Sequence, residues 1–114
     1  MAKLEQTIQN EIRDFLWVYG WKVERMHGNA FQKGIPDLYA THAMHGPRWI
    51  EVKPPTGYSF TNSQLKNFPE FERHGDKIWI LCAGTKEEYD KLFKPPNWRQ
   101  YLKPRHIKLM RELR

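Results

Sequence analysis

The chain has 114 residues, 39% of them hydrophobic and five of them Trp, which fits one folded domain with a modest core and excludes a disordered chain. Its 19 Lys and Arg outnumber 13 Asp and Glu, for a formal charge of +6, and this balance points to a polyanionic partner, most commonly nucleic acid. No stretch has the apolar length of a membrane span or the basic amphipathic character of a membrane-surface helix, which excludes a membrane partner. The single cysteine, Cys82, lies in the apolar run 78–83 and reads as a buried thiol in a compartment that need not be oxidising. Met1 to Glu5 lacks an apolar signal core, so a cytoplasmic location is expected.

Residues 3–19 are predicted to form an amphipathic helix, because Leu4, Ile8, Ile12, Phe15 and Tyr19 recur at the spacing of one helical face. Gly20 is placed to cap it. Glu5 falls about 45° from the centre of the apolar stripe and Glu11 about 75°, so Glu5 is the better candidate for a carboxylate leaning into a site beside the core. The alternative is an ordinary first-turn acid favoured by the helix dipole. Residues 21–26 alternate as a first strand with Trp21, Val23 and Arg25 on one face, and His27-Gly28-Asn29 reads as a turn. Arg25 and Lys33 are candidate phosphate contacts or plain surface charges.

Gly34-Ile35-Pro36-Asp37 then opens a strand, Leu38-Tyr39-Ala40, and Trp49, Ile50 and Val52 form the next. The connector from His42 to Pro47 carries the turn dipeptide Gly46-Pro47, so the two strands make a hairpin. Antiparallel pairing sets Asp37 beside Glu51, and strand alternation puts Glu51 and Lys53 on one face with Val52 on the other. Two adjacent carboxylates repel, and burial sharpens the conflict. A hard divalent cation removes it, and carboxylate oxygen is the ligand Mg2+ or Mn2+ prefers. Lys53 beside such a cation suits a reaction that builds negative charge on phosphorus. Gly34 next to the charged centre suits a close approach of backbone to ligand.

Pro54 to Gly57 ends the strand, and Thr61 to Gln64 forms a capping box for a helix running to about Arg73 with Leu65, Phe68 and Phe71 inward. Pro69 is expected to break or kink it. Residues 77–83 are apolar enough for a central fourth strand. Thr85 to Glu88 reads as a second capping box, opening a short helix through Tyr89, Leu92 and Phe93. The tail from Trp98 gathers Arg99, Lys103, Arg105, Lys108, Arg111 and Arg114 against Glu112. It reads first as a basic arm that follows phosphates, with Trp98 or Tyr101 stacking on a base, and otherwise as a docked C-terminal helix or a dimer surface. His42 and His45 are too few ligands for a zinc site, and no nucleophilic triad, phosphate-cradling glycine loop or dinucleotide fingerprint is present.

Pro36-Asp37 followed by Glu51-Val52-Lys53 resembles the PD-(D/E)xK nuclease superfamily. The Gly34-Ile35-Pro36-Asp37 form, after a helix bearing Glu5 ahead of Ile8-Gln9 and before Gln64, resembles its VRR-NUC branch. The resemblance covers about residues 4–83 and leaves the helix and basic tail of 85–114 outside. It implies an α/β, restriction-endonuclease-like αβββαβ core with a mixed sheet flanked by helices. It also implies a nuclease dependent on Mg2+ or Mn2+, with Asp37, Glu51 and the Val52 carbonyl holding the metal. Lys53 would position water or stabilise the transition state, Glu5 would reach the metal through water or hold a second one, and Gln64 would support the site in competition with its capping role. Stand-alone members of the branch look like homodimers acting on branched DNA, with no small-molecule cofactor. A non-catalytic nucleic-acid-binding module and an RNA-processing nuclease are the alternatives.

Overall fold

A computed structural model describes residues 4–26 and 34–113. The first helix, α1, spans Glu5–Val18 and buries Ile8 and Ile12 of the expected stripe together with Leu16, while Leu4 and Tyr19 at the ends of that stripe are exposed. Gly20 follows at φ +90°, where its N–H returns to the Trp17 carbonyl and where a residue with Cβ is strained. Strands β1 (Lys22–Arg25), β2 (Leu38–Thr41) and β3 (Arg48–Val52) form an antiparallel meander. Helix α2 (Asn62–Arg73) then crosses over, and β4 (Ile78–Leu81) pairs with β3 in parallel, Glu51 opposite Ile80. The strand order is 1-2-3-4, so this is the mixed αβββαβ sheet expected from the sequence.

The two faces of the sheet build two cores. Leu38, Ala40, Ile50 and Val52 pack with α1. Ile78 and Ile80 pack with Phe60, Leu65, Phe68 and Trp98 on the other side. Each Leu or Ile fully removed from water here contributes about 2 kcal/mol. Because β3 alternates between these faces, Ile50 and Val52 point to α1, and Trp49, Glu51 and Lys53 point to α2.

Several expectations need correction. Helix α2 runs through Pro69 without ending, since proline costs one backbone bond and the burial of Leu65 and Phe68 before it, with Phe71 partly buried after it, holds the helix to the sheet. Strand β4 is an edge strand, not a central one. Its four residues are buried because its outer edge is covered. The Ile80 N–H donates to Asn97 Oδ1 at 2.6 Å, and Asn97 Nδ2 donates to the Ile80 carbonyl at 3.2 Å. Thr85 caps α3 (Lys86–Asp90) by accepting from the Glu88 N–H, but Glu88 turns its carboxylate to the Cys82 N–H and closes no reciprocal box. Cys82 is half-buried rather than buried. Two 3-10 turns, Lys91–Phe93 and Trp98–Tyr101, lead to α4 (Pro104–Glu112). Trp98 is 1% exposed and donates to Glu72, so it is part of the core and has no face to offer a base. Among the described residues no helix is long and apolar enough to cross a membrane.

Candidate metal-binding and catalytic site

The hairpin places Asp37 one register step beyond the Leu38–Ile50 pair, beside Glu51. Each carboxylate is bonded to the other's strand. The Asp37 N–H donates to Glu51 Oε1 at 3.3 Å, and the Val52 N–H donates to Asp37 Oδ2 at 2.9 Å. The acids are thereby held by main chain on both sides, which fixes their separation without a long side-chain search.

Glu51 and Lys53 are 1% and 3% exposed, and Lys53 Nζ lies 3.0 Å from Glu51 Oε2. Gln64 closes the cluster from α2. Its Nε2 donates to Glu51 Oε2 at 2.8 Å, and its Oε1 accepts from Lys53 Nζ at 3.0 Å and from the Thr61 N–H at 3.0 Å. The Gln64 N–H in turn donates to Thr61 Oγ1 at 3.1 Å. The capping and site readings of Gln64 therefore do not compete, because one amide serves both.

Burial pushes the Glu51 carboxyl up to about 8, with the neighbouring Asp37 charge adding to the rise and Lys53 and Gln64 opposing it. Asp37 is also raised, first by burial, against the Val52 N–H that favours its charged form, and then by the charge of Glu5. Glu5 is solvent-exposed in the first turn of α1, near enough to act on Asp37 electrostatically. Among the described residues no three His, Cys, Asp or Glu side chains gather as a metal cluster. The side-chain donors brought together are two carboxylates, with the Val52 carbonyl on the same strand end. That set suits Mg2+ or Mn2+, which bind through one or two carboxylates and retain waters. Two raised carboxyls beside each other are the electrostatic mark of a site that gains by taking up positive charge.

The remaining candidates scatter. Arg25 donates to Asn10, and its Nε is buried without a partner. Lys33 lies outside the described residues. Arg99 is paired with Glu72 at 2.7 Å. Lys103 Nζ donates to the Tyr58 carbonyl at 2.9 Å, Arg105 reaches the same oxygen at 3.5 Å, and Arg105 and Lys108 are exposed on α4. The charges of Lys103, Arg105 and Lys53 all bear on the buried His106, which sets the start of α4 beside the cluster. Gly34, at φ +81°, approaches α2 closely. A Cβ there would stand 2.6 Å from the Ser63 carbonyl oxygen.

Two residues of this neighbourhood escape the sequence reading, Phe60 and His106. Phe60 sits immediately before the Thr61 cap, and Leu65 sits at the fourth helical position. Both lie in one buried cluster, so the hydrophobic-staple pattern was the available signal. His106 is one of five histidines, and nothing in its local sequence marks it out.

The architecture is thus an α/β fold, a mixed four-stranded sheet with helices on both faces, that carries a carboxylate pair and a lysine at one hairpin end. A solved structure described as a VRR_NUC domain superposes with a TM-score of 0.64, over 79% of this chain and 95% of that one, at 18% identity. The chain has the fold of a VRR_NUC domain. No family model matches the sequence, and no curated protein matches it.

Proposed function

We propose that the chain is a divalent-metal-dependent endonuclease that hydrolyses phosphodiester bonds in DNA. The observation that carries this reading is the convergence of Asp37, Glu51 and Lys53 at the buried end of one hairpin, cross-bonded through main chain. The VRR_NUC fold supports it. Asp37, Glu51 and the Val52 carbonyl would hold Mg2+ or Mn2+. Such an ion, when bound, polarises phosphate oxygen and makes a neighbouring water more acidic.

The protein's own groups then have distinct tasks. Asp37 and Glu51 fix where the cation and the scissile phosphate meet. Lys53, bonded to Glu51 and Gln64, would offer an N–H to the water or to the charge that grows on phosphorus as its bond to the leaving oxygen breaks. Gln64 keeps Glu51 and Lys53 aligned, and Glu5 adds negative charge at the rim. The excess of positive charge, with Arg105 and Lys108 exposed on α4, favours a polyanion, and branched DNA cut by a homodimer is the finer form of the proposal.

The test is Mg2+- or Mn2+-dependent nicking of plasmid and of a four-way junction, beside a matched RNA. Wild type is expected to cut DNA, and Lys53→Ala to lose about 100-fold or more in rate while still binding DNA. Equal DNA binding without cutting in both proteins would replace the enzyme with a non-catalytic binding module, and cutting confined to RNA would redirect the substrate.

A further inference from the structure

Lys53 has a third neighbour besides Glu51 and Gln64. Its Nζ lies 4.7 Å from the centroid of the Phe60 ring, over the face. An ammonium so placed is attracted by the ring's negative face, and the attraction grows where water is excluded, as it is here with Phe60 4% and Lys53 3% exposed. The three directions around the ammonium are thus a carboxylate, an amide oxygen and an aromatic face.

Phe60 is itself clamped. Its main-chain N lies 3.4 Å from His106 Nε2, the two rings meet edge to face at 5.3 Å, and Phe68 and Trp98 pack edge-on against it at 6.2 and 6.5 Å. His106 is fixed at the start of α4. Its Nδ1 accepts from the Lys103 N–H at 3.0 Å, and Nε2 faces Ser59 Oγ at 3.2 Å. The chain beyond β4, which the sequence resemblance leaves outside, therefore reaches the cluster through His106 and Phe60.

We infer that Phe60, held by His106 of the C-terminal helix, is a positioning residue for Lys53. The ring face keeps the ammonium aligned with Glu51, and as a weak acceptor it gives up its share readily when a phosphate oxygen arrives. This rests on the nuclease reading above.

The experiment replaces Phe60 by 4-fluoro-, 3,4,5-trifluoro- and pentafluorophenylalanine, which nearly keep the ring's shape and progressively cancel its negative face. The kcat for metal-dependent nicking is expected to fall stepwise, by about ten-fold at the pentafluoro ring, with KM steady. A side chain that merely fills space would leave kcat level across the series, and that result overturns the role. A second readout does not need activity. The Lys53 ε-methylene protons should resonate upfield in the wild type from the ring current and return to ordinary positions in Phe60→Leu, and His106→Leu should weaken the upfield shift. No upfield shift in the wild type overturns the contact. A wild type that shows the shift yet cuts no DNA overturns the nuclease reading, and the role with it, while leaving the contact established.

Discussion

The main-chain N–H of Asp37 donates to Glu51 across the hairpin, and Asp37 answers by accepting from the residue after Glu51. Two acids are thus locked together by bonds that cost neither its position when the other titrates. Asp37→Asn keeps an oxygen for the Val52 N–H and removes one charge. It is expected to melt close to the wild type without metal and to lose the stabilisation that Mg2+ gives the wild type, about 2.7 kcal/mol at a hundredfold excess over Kd. Melting curves with and without Mg2+ decide this. An equal metal-induced rise in both proteins would remove Asp37 from the ligand set.

The raised carboxyl of Glu51 sets a pH dependence. Its folded pKa, about 8, lies above the ordinary 4.5, so the folded chain keeps a proton that the unfolded chain has released. This contribution to stability is fully present below about pH 4.5 and is lost as pH rises toward 8. Asp37, also raised, acts in the same direction. Mg2+ must displace the proton, so its affinity should climb over the same window and level off above it. Calorimetry at pH 7 in two buffers of different protonation enthalpy should find about one proton released per ion. Release of none would mean that Glu51 is already ionised.

Thr61 and Gln64 separate folding from chemistry. Thr61→Ala removes the hydroxyl that caps α2, at a cost of about 1 kcal/mol, and leaves the bonds from Gln64 to Glu51 and Lys53 in place. Cutting at a temperature well below melting should be unchanged. Gln64→Ala should cost similar stability and also lower kcat by about ten-fold or more, because Glu51 and Lys53 lose their shared partner. Equal activity in the two variants would confine Gln64 to its capping role.

The sequence carried the hairpin and its charged end because a strand's two-residue period and a turn dipeptide fix which side chains meet. Asp37, Glu51 and Lys53 are named by that arithmetic, and the order of elements follows from hydrophobic spacing. What was hidden depends on contacts between distant segments. His106 reaches Ser59 and Phe60 across 46 or more residues, and Asn97 reaches Ile80 across 17. Neither has a local pattern. The apolar composition of β4 points to a central strand because flanking strands are the usual cover for such a run, whereas here a single asparagine amide and the packing of Trp98 supply it. Pro69 misled for a related reason, since a local rule about one missing bond was outweighed by packing on the sheet.

That asparagine amide has a further effect on how copies of the chain can meet. Among the described residues it stands where a fifth strand would add at β4, while β1 lies at the far end of the order with Lys22 and Glu24 exposed. A sheet stoppered on one side can be lengthened on the other alone. Two copies joined through that side would leave no open margin for a third, so such growth halts at a pair instead of running on into a fibre.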